Sequence, residues 1–231
     1  MKSECKRPNA TSPSSDDSLA VADHRSLGAA SSLHLAASER SAPLPSPDRM
    51  ENLAYGLLEE VGENPGREGL VKTPLRVAKS LRFLTSGYDA DLEEIVNGAV
   101  FDAEGYDEMV VIREVEFYSL CEHHMLPFFG KVSVAYLPGE KIIGLSKIPR
   151  LVDVFARRLQ VQERMTQQIA KALEEILEPR GVAVSATGFH LCMAMRGVEK
   201  QMSHTTSNAF TGEFRRNPDL KREFLDAVRD R

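Results

Sequence analysis

Apolar residues recur along this chain with two periods, and the change from one to the other divides it. Met50, Leu53, Ala54, Leu57, Leu58 and Val61 return every three or four positions, the spacing of a helix with one buried face. Asp48 stands where an N-cap belongs, and the turn signal Asn64-Pro65-Gly66 closes the run. Thr73-Pro74 predicts a second helix, with threonine as cap, proline at the first helical position and Val77, Leu81 and Leu84 inward. A third, short helix is expected at 92–96.

From Met109 the period falls to two. Val110, Ile112, Val115 and Phe117 predict one long strand, bulged where the alternation slips. Residues 131–137 answer it, with Val132, Val134 and Tyr136 alternating with Lys131, Ser133 and Ala135; Pro138-Gly139 then turns into a short strand at 141–145. Ser146 is the expected cap of the helix that follows. A longer helix at 162–177 carries Met165, Ile169, Leu173 and Ile176 on one stripe. Residues 182–186 and 189–195 read as two strands paired through a turn near Gly188. In the second, Phe189, Leu191, Met193 and Met195 alternate with His190 and Cys192, which share their face with Arg196. Polar residues 198–211 read as a loop or strand edge, with His204 non-catalytic. Asn217-Pro218 caps a last helix whose Leu220, Phe224, Leu225 and Val228 face inward. Helices first, then antiparallel strands with two helices embedded among them, make an α+β fold.

Composition adds an appendage. Residues 1–48 are rich in Ser, Ala and Pro and contain no Phe, Tyr or Trp, so they cannot bury enough apolar surface to offset their ordering entropy and are expected to be disordered. Asp16, Asp17, Asp23 and Glu39, with no apolar core, argue against a transit or signal peptide. The folded domain is then 49–231, with a helical part at 49–108 and the core at 109–231. A net charge of −5 and a pI near 5.8 give no reason to expect nucleic acid or an anionic membrane as partner, and no apolar run reaches the length of a membrane span. Three cysteines without a secretory signal point to a reducing, cytoplasmic setting, where thiolates bind metal rather than form disulfides.

Two of those cysteines carry the chemistry. Cys121 and His124 stand three apart, a spacing at which thiolate and imidazole close on one ion, and His190-Leu191-Cys192 supplies a second half-site. Mixed sulfur and nitrogen ligation suits Zn²⁺. Spacing leaves open whether His123 or His190 is a fourth ligand; as non-ligands both are placed to move protons beside an activated water. The helix start at Ser146, with Lys147 and Arg150, suits an anion. With Arg196 and the carboxylate of Glu163, and without a phosphate-loop motif, the set suits hydrolysis of a phosphorylated molecule away from its phosphates.

From about residue 50 onward the chain resembles the GTP cyclohydrolase I family. The resemblance rests on S-L-C-E-H-H at 119–124, G-L-S-K-I-P-R at 144–150, Q-V-Q-E-R at 160–164 and H-L-C-M-A-M-R-G at 190–197, in the family's order. It implies Cys121, His124 and Cys192 as zinc ligands, with zinc activating water for addition to C8 of the guanine and that carbon leaving as formate. It implies His190 as proton donor to the purine and His123 in proton transfer beside the metal. Glu163, with Gln162 before it, would hold the guanine edge, Lys147, Arg150 and Arg196 the triphosphate, and Ser146 a contact near the ribose. The product would be 7,8-dihydroneopterin triphosphate. The same resemblance implies the tunnelling fold, in which sheets from several subunits close a barrel and two rings stack into a decamer. Active sites would lie between subunits, with Arg76 at a neighbour's triphosphate. A feedback-regulatory protein partner is left undefined.

Overall fold

The structure, a computed structural model, describes residues 47–229. Except for Pro47 and Asp48, the stretch expected to be disordered lies outside the described residues. Three helices come first: α1 (Pro47–Glu60), α2 (Thr73–Leu84) and α3 (Leu92–Val96). Strands and helices then interleave as β1 (Val100–Asp102), β2 (Val110–Cys121), β3 (Pro127–Leu137), β4 (Lys141–Ile143), α4 (Lys147–Ala156), β5 (Leu159–Gln160), α5 (Gln162–Leu177), β6 (Gly181–His190), α6 (Leu191–Ala194), β7 (Thr205–Phe210), α7 (Gly212–Arg216) and α8 (Pro218–Val228).

Five strands form one sheet in the order β5-β2-β3-β6-β7, antiparallel except for the short parallel pair β2–β5, while β1 and β4 pair separately. The expected bulge is present: the β2–β3 register shifts between Ile112 and Val115, where Glu114 takes a left-handed backbone with φ of 56°. After it, alternation puts Phe117 and Cys121 on the same face as Phe128, Val132 and Val134 of β3 and Val182, Val184 and Ala186 of β6. That face buries the main core against α4 and α5, with Ile148, Leu151, Phe155, Met165, Ile169 and Leu173 filling it. Among the described residues, the opposite face is covered at one end, where Ala135, Leu137 and Ala183 pack with Phe214 and Phe224 of α7 and α8.

Several expectations are corrected. Residues 182–195 are not two strands with a turn at Gly188. One strand, β6, runs through it, pairing Gly188 with Gly130 of β3. These glycines allow close approach rather than a turn. A Cβ on Gly130 would sit 2.0 Å from the Thr187 carbonyl oxygen, and one on Gly188 would sit 2.5 Å from Oε1 of Gln162. β6 stops at His190, and Leu191–Ala194 curl into one helical turn closed by Met195 N–H donating to the Leu191 carbonyl. His190, Cys192 and Arg196 therefore do not share a strand face; period-two alternation over so few residues also fits a turn of helix. In α2 the cap position is Lys72, without a side-chain bond, and Thr73 lies inside the helix. Asp48 falls in the first turn of α1 rather than before it. On α1 Ala54 is buried and Met50 and Leu58 are half-buried, while Leu53 and Leu57, with Val61 just past the helix, are 65%, 62% and 66% exposed, so part of the expected inward stripe faces out.

Candidate metal centre and active site

β2 ends in Cys121, and the chain turns back at once. His124 N–H and Met125 N–H both point to the Cys121 carbonyl, Cys121 N–H donates to Leu126, and Met125 accepts a left-handed φ of 54° to close the turn. The turn folds His124 back over Cys121, whose Sγ lies 3.9 Å from His124 Nδ1. From the other side, α6 carries Cys192 to the same point, because β6 ends beside β3 with His190 opposite Phe128. The ligand atoms of Cys121, His124 and Cys192 all lie within 4.8 Å of one another. Around an ion with metal–sulfur and metal–nitrogen bonds of about 2.3 and 2.0 Å, tetrahedral ligands are about 3.5–3.8 Å apart, so the trio is close to a closed metal site. Burial pushes the Cys192 thiol up, and the neighbouring Cys121 pushes it further, against a small opposing pull from Arg196. Beside Cys121, the Cys192 thiol resists ionising unless a cation joins the pair. The donor set fits zinc.

The two spare histidines are placed differently. His123 Nδ1 is 3.7 Å from Cys121 Sγ, but its side chain is 62% exposed and outside the trio. His190 is half-buried, its ring stacked on Phe128 with centroids 4.7 Å apart and planes 3° from parallel. Its Nε2 is 2.9 Å from Oε1 of Gln162. Burial holds His190 below the ordinary histidine value, and the nearby Glu163 carboxylate pulls the other way. Glu163 itself is exposed at the first turn of α5, a comfortable place for a carboxylate. Glu122 and Arg164 tie the metal turn to that helix with paired contacts of 2.5 and 3.1 Å. The pair holds Glu122 below the usual carboxylate range, mainly through the Arg164 hydrogen bond.

One end of the sheet thus gathers Cys121, His123, His124, Gln162, Glu163, His190 and Cys192, with Arg196 exposed just beyond α6. The remaining cations stand elsewhere. Arg158, just past α4, accepts Ser119 Oγ–H at its carbonyl, and Leu159 pairs with Leu120, so the end of α4 lies beside the Cys121 end of β2. Lys147 begins that helix and Ser146 precedes it. At about 1.5 Å per residue they stand roughly 14 Å along the axis from the metal end, with Arg150 about one turn nearer. Ser146 occupies the cap position without a side-chain bond. Arg76 is exposed on α2.

Sequence reasoning missed the support behind His190. Gln162 was expected at substrate, yet its side chain is 1% exposed, and Nε2 contacts the carbonyls of Ala186 and Thr205 (2.9 Å each) and Ser207 Oγ (3.1 Å). Thr166 and Ser207 are buried with it, their hydroxyls 2.7 Å apart. Thr166 follows Gln162 by one helical turn, a signal visible in sequence; nothing local marks Ser207.

A sequence model of the family described as GTP cyclohydrolase I matches residues 50–229. GTP cyclohydrolase 1 of Leptospira biflexa is 58% identical over 180 residues, covering 78% of this chain and 98% of that protein. The protein of the same name from Chlorobaculum tepidum is 60% identical over 179 residues, 78% of this chain and 80% of that one. The Drosophila melanogaster GTP cyclohydrolase 1 is 53% identical over 189 residues, 82% of this chain and 57% of the fly protein.

Proposed function

The chain belongs to the GTP cyclohydrolase I family, and from that premise we propose that it opens the guanine ring of GTP by hydrolysis, giving formate and 7,8-dihydroneopterin triphosphate, the first step towards folates and other pterins. The α+β arrangement is the tunnelling fold of that family. The observation that carries the reading is the convergence of Cys121, His124 and Cys192 beside His190 and Glu163 at one sheet end.

Cys121, His124 and Cys192 would hold Zn²⁺. Bound there, zinc supplies a Lewis acid that activates water for attack at C8. The chain's own residues do the rest. Glu163 accepts hydrogen bonds from the guanine N–H edge, a charge-assisted contact that fixes which ring carbon faces the water. His190 moves a proton at the purine ring nitrogen as the ring opens, its half-buried ring held in place by the stack on Phe128. The exposed His123 exchanges protons between the reacting water and solvent. Arg196, Lys147 and Arg150 anchor the triphosphate, and Ser146 contacts the ribose.

Because Lys147 lies a helix length from the chain's own metal trio, the triphosphate anchor is completed by another copy of the chain in a homo-oligomer, a decamer of two stacked rings, with Arg76 reaching a neighbour's site. The exposed apolar side chains flanking the metal turn and α6, Met125, Met195, Val198 and Met202, are suited to such a boundary.

Formate release from GTP by the purified protein, before and after chelation, tests the function. Metal-dependent formate with a pterin appearing alongside is expected. Zinc and GTP both bound, with no formate, would refute it.

A further inference from the structure

We propose that Gln162 is a positioning residue that holds His190 as its Nε2–H tautomer, so that Nδ1 is the nitrogen that exchanges a proton during ring opening. The inference rests on the proposed function in giving His190 a proton to move, but the tautomer follows from the hydrogen-bond directions alone.

Those directions can be assigned one at a time. Thr166 Oγ1 is 2.7 Å from the Gln162 backbone carbonyl, which can only accept, so the threonine proton is spent there. The Thr166–Ser207 contact must then be donated by Ser207, and this leaves Ser207 Oγ as an acceptor towards Gln162. The amide of Gln162 faces two further acceptors, the carbonyls of Ala186 and Thr205. Both amide hydrogens are needed on that side. Turning the amide over would set Oε1 against two carbonyl oxygens at 2.9 Å and strand both. Oε1 therefore faces His190, and as a pure acceptor it requires a proton on Nε2 at 2.9 Å.

The ring cannot evade this by flipping. Phe128 fixes its plane, and rotation within the stack would put a ring carbon against Oε1 in place of Nε2. Gly188 belongs to the same construction, because a Cβ there would displace Oε1. With both hydrogens committed to the sheet, the Gln162 side chain has no donor left for a guanine, so its part in the reaction runs through His190. A group that orients an imidazole and selects its tautomer contributes to turnover without touching substrate.

Two measurements on the zinc-loaded full chain test this. In the ¹⁵N-histidine spectrum, with the His190 signals identified by their loss in His190→Ala, a proton on Nε2 and a bare Nδ1 are expected. A proton on Nδ1 with bare Nε2 would overturn the proposal. This readout needs no turnover: absent formate release with the expected tautomer would sink the proposed function and leave the tautomer standing. The second measurement is a double-mutant cycle. Gln162→Ala should lower kcat by about 10²-fold with KM for GTP within about threefold and zinc content unchanged. In a His190→Ala background the same substitution should change kcat by less than about twofold. A raised KM at unchanged kcat, or an equal loss of kcat without His190, would return Gln162 to a role of its own. If Gln162→Ala does not fold, the wild-type spectrum decides.

Discussion

The strands β3 and β6 end in two different ways. At the metal end they finish among buried polar groups: His190, Gln162, Thr166 and Ser207 are linked by hydrogen bonds, and the thiols of Cys121 and Cys192 face each other. At the far end the same strands finish in Ala135, Leu137 and Ala183, packed under Phe214 and Phe224. There the polar groups stay at the surface, as in the Lys141–Glu178 ion pair at 2.8 Å and the Arg180 Nε–H bond to the Pro138 carbonyl. Buried polar groups add little net stability but tolerate few arrangements, whereas apolar burial stabilises without fixing any proton or charge. One end of the sheet therefore fixes the placement of polar groups, and the other keeps the chain folded. Substitutions at the two ends should separate activity from stability.

The largest separation is expected at the thiols. Cys121→Ser or Cys192→Ser should lose zinc and reduce formate release by at least about 10³-fold while the fold persists, because the metal turn is also held by the Glu122–Arg164 pair and by backbone bonds. Metal analysis beside a turnover assay checks it; either variant retaining both zinc and turnover would remove that cysteine from the site. Nearly as large is complementation. His190→Ala and Lys147→Ala subunits, each strongly impaired alone, should regain up to about a quarter of wild-type sites when co-assembled, if metal half and anchor half come from different copies. No recovery in verified mixed oligomers would place both halves in one chain.

The far end should behave oppositely. Phe224 is fully buried in the smaller cluster, with Phe210 and Phe214 edge-on at 6.1 Å each. Phe224→Ala should cost about 3–5 kcal/mol in denaturant unfolding and leave zinc content and kcat of the folded fraction unchanged. A kcat loss at full zinc occupancy would show that the ends are coupled. Back at the metal end, Glu163→Ala removes a charge-assisted contact of about 1.5–3 kcal/mol, so KM for GTP should rise roughly 10- to 100-fold with zinc unaffected. Unchanged affinity would mean that the base is held by other groups.

How much of this was legible in the sequence follows the same division between local and distant. The two candidate half-sites, Cys121 with His124 and His190 with Cys192, were readable because each is compact in sequence, and the bulge in β2 because the alternation visibly slips. Asn217 was readable as a cap for the same reason. The network behind His190 was not. Gln162 meets its partners across 28 residues to His190 and 45 to Ser207, and no periodicity reports contacts that far apart. β6 running through Gly188 was misread because glycine marks a turn and a close strand approach equally well. The exposed half of the α1 stripe was misread because spacing shows that a face is apolar but not what covers it.

The smallest expected effect is also the cleanest test of the far end. The Asn217 side chain accepts from Asp219 N–H at 3.0 Å and Leu220 N–H at 3.3 Å, satisfying two donors at the start of α8 that no turn of helix could reach. Asn217→Ala removes both bonds and should cost about 1 kcal/mol, a shift of a few degrees in Tm. Asn217→Asp, which keeps the acceptor and adds a charge favoured by the helix dipole, should restore it. Neither should move zinc content, kcat or KM, since α8 touches the sheet through Phe224 and its neighbours rather than through the metal turn. A change in KM at unchanged Tm would break the comparison, because it would mean that α8 acts on the site by a route other than stability. With the expected result, both Phe224 and its cap belong to an end of the sheet that keeps the strands in register and leaves the chemistry to His190 and the thiols.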